Sequence, residues 1–351
     1  MSDQDALVRD MAGRLFAELA TPEALARHDR GEWLADGWAR IEELGFPLAL
    51  VSEEAGGLGL DPVEAVGLVR LAGRHALPFP LAETMLANRL LAESGLPFAP
   101  GAATVASAGS DTTIARDGSG WHARGEASRV PWASRAGTIV LVAEAAEGSL
   151  ICALPPDGIE IEPGQNLANE PRNRLHFDMA LSVASVATAP SGWDRDRVRR
   201  VGAALRANAM AGALERLLEL TVRYAGERAQ FGRPIGRFQA IQQNLAVVAG
   251  HVAAASAAAD LAAEAVAGDA ALLPVATAKI RVGEAAGIAA GICHQVHGAI
   301  GFTQEYGLNQ LTRRLWSWRD EFGDETEWGL ALGREAIASG PEGLWPMIAA
   351  A

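Results

Sequence analysis

The chain is 351 residues long, 49% hydrophobic and 21% charged, with a formal net charge of −13 at pH 7. That length allows two or three domains around a large core, and the acidity argues against nucleic acid or an anionic membrane as partner, since both need a basic face. Cys152 and Cys293 are the only cysteines, which points to neither a disulfide framework nor a cysteine metal site, and the acidic start Met1-Ser-Asp-Gln-Asp carries no signal-peptide pattern, so a cytoplasmic protein is expected.

Residues 1–98 carry apolar positions at helical spacing, as in Leu34-Ala-Asp-Gly-Trp-Ala-Arg-Ile-Glu-Glu-Leu44 and Val63-Glu-Ala-Val-Gly-Leu-Val-Arg-Leu-Ala72. Between these helices lies the glycine-rich run Val51-Ser-Glu-Glu-Ala-Gly-Gly-Leu-Gly-Leu60. No strand precedes it and no lysine follows, so it reads as a tight inter-helix turn rather than a phosphate cradle. From 99 to 192 the texture changes to short alternating runs between Gly, Pro and Ser. Trp121-His-Ala-Arg-Gly125, Gly137-Thr-Ile-Val-Leu-Val-Ala-Glu144 and Ser149-Leu-Ile-Cys-Ala-Leu154 are predicted strands. From 193 to 351 the chain is helical again, with breaks at 229–236, 268–274 and 297–303. The Ala-rich stretch 245–263 carries His251 and Asp260, which favours a helix among other helices over a membrane span.

The break at 224–241 reads Tyr224-Ala-Gly-Glu-Arg-Ala-Gln-Phe-Gly-Arg-Pro-Ile-Gly-Arg-Phe-Gln-Ala-Ile241. An arginine fork beside helix ends suits a pyrophosphate, because it donates in two directions and stays charged; a structural helix-turn-helix is the plainer alternative. The run resembles the acyl-CoA dehydrogenase family, where Arg-x-Gln/Thr-Phe-Gly-x-x-Ile-x-x-Phe-Gln joins two helices of the C-terminal domain. The later run Gln295-Val-His-Gly-Ala-Ile-Gly-Phe-Thr-Gln-Glu-Tyr306 resembles that family's Gln-x-x-Gly-Gly-x-Gly-Phe segment, with Ala299 at the second glycine. The glycine-rich loop at 51–60 matches too, with Ser52 in place of a proline.

The resemblance covers nearly the whole chain and implies an α+β fold in three parts. These are an N-terminal helical domain (1–98), a small middle β-barrel domain (99–192) and a C-terminal four-helix bundle (193–351) that makes the FAD contacts and the oligomer. It implies FAD as cofactor and an acyl-CoA thioester as substrate, desaturated between the α and β carbons. Arg228, Gln230, Phe231, Phe238 and Gln239, with Gln295, Gly298, Ala299 and Gly301, would form the half of a flavin site that one protomer offers to another. His297 reads as a hydrogen-bonded loop histidine, and no metal site is expected.

The expected catalytic base is missing from both of the family's usual places. The family's Tyr-Glu-Gly-Thr, laid over Arg319-Asp-Glu-Phe-Gly-Asp-Glu-Thr-Glu-Trp328, puts Phe322 on the glutamate and Glu321 on the tyrosine. The alternative base position, near the start of the first C-terminal helix, falls at about Gly202, with no carboxylate beside it. Glu321 or Asp320 could act if the turn shifts by one residue; alternatively Asp320, Glu321, Asp324 and Glu325 pair with Arg313, Arg314 and Arg319. The β segment departs as well. Ser107-Ala-Gly-Ser-Asp111 keeps the end of the family's Thr-Glu-Pro-x-x-Gly-Ser-Asp without its start, and Arg129-Val-Pro131 replaces Trp-Ile-Thr. Trp132 is either a substitute stacking residue or core. The pattern resembles the base-lacking subunit of bacterial heteromeric family members known from steroid degradation. The expected partners are a second dehydrogenase chain, or this chain itself as a dimer of dimers, and an electron-transfer flavoprotein. A self-sufficient enzyme with Glu321 as base and a flavin-free scaffold or acyl-CoA binder are the alternatives. Ala253, Ala254, Ala257 and Ala258 would leave room for a bulky acyl group or serve close helix packing.

Overall fold

The computed structural model describes residues 3–98, 101–109, 111–145, 148–303 and 306–349. Five helices come first: α1 (Asp3–Leu19), α2 (Pro22–Asp29), α3 (Ala35–Glu43), α4 (Pro62–Arg74) and α5 (Leu81–Glu93). Eight strands follow: β1 (Ala103–Ser107), β2 (Thr113–Asp117), β3 (Gly120–Pro131), β4 (Thr138–Ala145), β5 (Gly148–Leu154), β6 (Ile159–Glu162), β7 (Arg172–Leu181) and β8 (Val186–Thr188). Then come α6 (Arg195–Glu227), the two-residue strands β9 (Ala229–Gln230) and β10 (Arg233–Pro234), α7 (Gln239–Ala267), α8 (Leu272–His297), α9 (Leu308–Arg319) and α10 (Glu325–Ala349).

The chain packs as two compact units, one of residues 1–26, 66–77 and 203–351, the other of 27–65 and 78–202. The expected boundaries near 98 and 192 lie between elements, whereas these units cut through α2, α4 and α6. The cause is local: the second half of α4 packs on α6 at a glycine crossing described below.

In the unit holding the strands, the expected small barrel takes the form of two four-stranded sheets, β1-β4-β5-β8 and β2-β3-β7-β6. β1 runs parallel to β4, and the other pairings are antiparallel. Ile139, Leu141, Cys152 and Leu154 from one sheet share a core with Ala123, Leu175 and Phe177 from the other. Burial of each large apolar side chain contributes roughly 2 kcal/mol. Val140 and Val142 are equally buried although they alternate with the core residues, since α5 packs beside β1 and β4. Thr84 on α5 fixes that contact: its hydroxyl donates to the Ala103 carbonyl (2.9 Å) and accepts the Ala103 amide (3.1 Å). The glycine-rich run closes as a tight turn, with Gly57 donating to the Ser52 carbonyl at 2.8 Å.

In the helical unit α7 lies along α8, buried through Ala255, Ala259, Ala262 and Ala263 on one helix and Ala278, Ala285, Ala286 and Ala289 on the other. Among the described residues α7 is the one helix long and apolar enough by composition to cross a membrane. Asn208 on α6 donates to the Ala259 carbonyl on α7 (3.0 Å). Arg70 reaches Glu215 (2.5 Å) and also pairs with Asp260, while Arg74 meets Glu219 at 2.7 Å. Gly73 and Gly212 let α4 and α6 touch backbone to backbone. A Cβ on Gly73 would lie 2.5 Å from the Ala209 carbonyl carbon, and one on Gly212 would lie 2.9 Å from that of Arg70.

Candidate functional site

Two of the sequence-predicted segments meet at one end of the helical unit. α6 delivers Tyr224, whose carbonyl accepts the Arg228 amide (2.8 Å). The Tyr224 ring stacks on His297, the last residue of α8, at 4.4 Å, and its hydroxyl donates to the His297 carbonyl at 3.3 Å. The turn carrying Arg228 and the turn starting at Gly298 are thereby tied together. Tyr306 closes the cluster edge-on to Tyr224 at 5.9 Å.

Between the ends of α6 and α7 the chain makes a hairpin rather than a bare helix break. Gln230 faces Arg233 across it, and Phe231-Gly232 form the tip with φ of +51° and +79°. A bulky residue in that left-handed position is strained. Phe231 is 91% exposed and meets the half-buried Phe238 edge-on at 6.1 Å; the Arg233 guanidinium lies 4.3 Å over the Phe238 ring. Arg228, Gln230, Gln239, Gln295 and Ala299 are also exposed. Gly298, with φ +65° and ψ −144°, ends α8 in a conformation open to glycine. Ala299 keeps a negative φ, so alanine is accommodated where the family carries glycine. Gly301 is buried, and a Cβ there would meet Leu308 at 2.9 Å and His294 Nδ1 at 3.2 Å. Gln304 and Glu305 of this motif lie outside the described residues.

His294 and His297 back the segment. His294 is sandwiched by Phe302 (4.2 Å) and Trp316 (5.6 Å), and its Nε2 bonds the Thr312 hydroxyl at 2.9 Å. His297 Nδ1 donates to the Cys293 carbonyl at 2.8 Å, as expected of a hydrogen-bonded histidine. Burial pushes both imidazoles below their ordinary range, so both are neutral at pH 7. Among the described residues, His294 Nδ1 and His297 Nε2 are buried with no hydrogen-bond partner.

The turn between α9 and α10 holds Glu321. Phe322 and Gly323 take φ of +57° and +103° in succession. The Glu321 carboxylate meets Arg206 of α6 at 2.8 Å, and both side chains are largely buried. Arg206 lies one turn beyond Gly202 and stands 5.2 Å over the Trp318 ring. Arg319 pairs with Glu325 at 2.5 Å, one of the expected ion pairs, while Asp324 caps α10 by accepting the Glu327 amide (2.8 Å). Arg206, which the spacing along the chain did not suggest, is thus a partner of Glu321, brought there by the packing of α6 beside this turn. Lys279 of α8 donates to the carbonyls of Trp318 (3.2 Å), Arg319 (3.0 Å) and Glu321 (2.9 Å).

In the strand-bearing unit, Trp132 is core. It is 4% exposed, with φ +55°, and lies 5.5 Å from His28 and 6.1 Å from Trp33 within a cluster that includes Trp38 and Phe79. A ring so enclosed is not presented for stacking on a cofactor. Gly109, in the shortened Gly-Ser-Asp remnant, donates to the Glu126 carbonyl at 2.9 Å; Ser110 lies outside the described residues. The outward-facing residues on the helical unit have the chemistry that a flavin's ADP half needs: an exposed arginine, exposed glutamines and, at Gly298, an exposed glycine.

Arg206, Lys279, Tyr224 and His294 escaped the sequence reading. Lys279 left a trace, as the only lysine among 30 basic residues, and Tyr224 and Tyr306 are the only two tyrosines.

Residues 2–97 match the model of the acyl-CoA dehydrogenase N-terminal domain, and residues 199–319 match that of the acyl-CoA dehydrogenase C-terminal domain. The acyl-CoA dehydrogenase IpdE2 of Mycobacterium tuberculosis is 29% identical over 316 residues, spanning 88% of this chain and 89% of that protein. Among solved structures, the ChsE4-ChsE5 complex from Mycobacterium tuberculosis contains a chain that superposes with a TM-score of 0.85 at 22% identity, covering 97% of this chain and 99% of that one. The Tcur3481-Tcur3483 steroid ACAD gives 0.84 at 24% identity, covering 96% and 98%. The sequence order of helices, strands and helices, the two family-model matches and these likenesses agree: the chain belongs to the acyl-CoA dehydrogenase family, oxidoreductases that act on CH–CH bonds.

Proposed function

We propose that this chain completes the FAD site of a heteromeric acyl-CoA dehydrogenase and leaves proton abstraction to a partner chain. The observation that carries the reading is the fate of the base position: Phe322 stands where the glutamate belongs, and the adjacent Glu321 is held by Arg206 at 2.8 Å. That carboxylate is thereby committed to an ion pair within its own chain. Bound FAD would take the β-hydride. Arg228 and Gln239 would hold its diphosphate and adenosine end, Gln295, Gly298 and Gly301 would receive its backbone-facing edge, and Phe231 would cover it. The buried Trp132 supports the second half of the reading, since this chain offers no stacking indole of its own at that place.

Two structural likenesses, one named as a two-protein complex and one as a steroid ACAD, support a heteromer and a polycyclic acyl-CoA. A dimer of dimers in the cytoplasm, passing electrons to an electron-transfer flavoprotein, completes the proposal. The test is the visible spectrum of the chain purified alone and after coexpression with a complete dehydrogenase chain. A colourless lone chain that becomes yellow with its partner, at one flavin per pair, is expected. One flavin per lone chain, bleached by acyl-CoA and unresponsive in Glu321→Gln, would instead establish a self-sufficient enzyme with Glu321 as base.

A further inference from the structure

The chain contains 29 arginines and one lysine, and that lysine is the least expected of them in its placement. Lys279 is 2% exposed, in the middle of α8, and its ammonium spends its three donors on three backbone carbonyls of one turn. The last carbonyls of a helix have no intrahelical partner, and those of Trp318 and Arg319 end α9. The carbonyl of Glu321 comes just before the left-handed part of the turn, Phe322 and Gly323. A pyramidal ammonium can reach three converging oxygens; the planar arginine fork cannot. Lys279 contacts the backbone of Glu321, while Arg206 contacts its carboxylate, so two cations on two different helices hold one residue from both ends.

We propose that Lys279 is a positioning residue: by gathering these three carbonyls it sets the turn in which Glu321 meets Arg206, and so keeps the carboxylate nearest the base position as a buried structural ion. The inference rests on the reading that Glu321 is not the base. Without the clamp the turn can shift by a residue, which moves a side chain by about 3.5 Å. Burial lowers the Lys279 ammonium to about 8, offset by Glu321, Glu325 and Asp320 and reinforced by Arg206. The proton that supplies the third donor is therefore lost within an accessible pH range.

The test is a double-mutant cycle of Arg206→Leu and Glu321→Leu, measured by urea unfolding of the full chain, with Lys279 intact and again in Lys279→Met. With Lys279 intact, the two residues are expected to be coupled by at least tenfold in the unfolding constant. In Lys279→Met the coupling is expected to fall below threefold. A coupling unchanged by Lys279→Met, however unstable that variant is, means the lysine is mere filling and overturns the proposal. Should Lys279→Met not fold, amide exchange of the wild type decides the same question. Between pH 7 and 9.5, protection at residues 321–323 should drop more than tenfold beyond the intrinsic pH dependence while that of 312–316 holds. Equal behaviour of the two segments overturns the clamp. Neither measurement involves flavin or turnover. A coupled pair in a lone chain that proves self-sufficient would sink the functional reading and leave the clamp standing, and an uncoupled pair in a partner-dependent chain would do the reverse.

Discussion

Gly212→Ala reverses the usual sign of a helix substitution. In a solvent-facing helix interior, glycine to alanine stabilises by about 1 kcal/mol. At Gly212 the new Cβ would run into the Arg70 carbonyl oxygen and lie 2.9 Å from its carbon and 3.0 Å from the Arg74 nitrogen, all backbone atoms of α4. Contacts to carbon are comfortable at about 3.5 Å or more, so clearing the carbonyl oxygen would force α4 and α6 apart by more than about 1 Å. Neither backbone can rotate away as a side chain end would. Overpacking of this kind costs about 1–3 kcal/mol, at the upper end here because the same displacement loosens Arg70 from Glu215. A net loss of about 2 kcal/mol is expected, read by urea denaturation followed by far-UV circular dichroism. Gly67→Ala, on the same helix α4 but with nothing within 4 Å of the added methyl, is the control and should gain stability. A Gly212→Ala protein as stable as the wild type would show that the crossing is not close-packed.

Phe231→Gly should raise stability by roughly 1 kcal/mol, because it relieves a bulky residue at φ +51°, yet weaken FAD retention by the assembled enzyme. Flavin content after gel filtration checks the second effect, and undiminished flavin would remove Phe231 from the site. His294 and His297 are held below their unfolded range by burial. The unfolded chain therefore binds protons that the native one does not as pH falls below about 6.5. Their contribution to stability is complete above that pH and is lost on acidification, so a His294→Gln, His297→Asn double variant should show a flatter stability profile between pH 7 and 5. A profile parallel to that of the wild type would mean that other groups control acid lability.

The order of helices, strands and helices was legible in the sequence, because periodicities of 3.6 and 2 are properties of neighbouring residues. So was the turn from Tyr224 to Ile241, whose Gly and Pro mark a break in any context. The family resemblance rests on those same short runs. The hairpin at Phe231-Gly232 was less legible, since an exposed phenylalanine at positive φ contradicts its local preference. Spacing alone could relate Glu321 only to residues nearby along the chain, and it pointed to Arg313, Arg314 and Arg319. Tertiary packing also brought α6 to the turn and paired Glu321 with Arg206, because a buried carboxylate takes the cation that shares its enclosure. The same holds for Lys279 on three carbonyls, Tyr224 on His297 and Trp132 inside an aromatic cluster. Local pattern is enough to say which elements form and which residues they can offer outward. Which side chains are already committed to one another is a matter of packing, since that depends on contacts between segments whose separation along the chain carries no periodic signal.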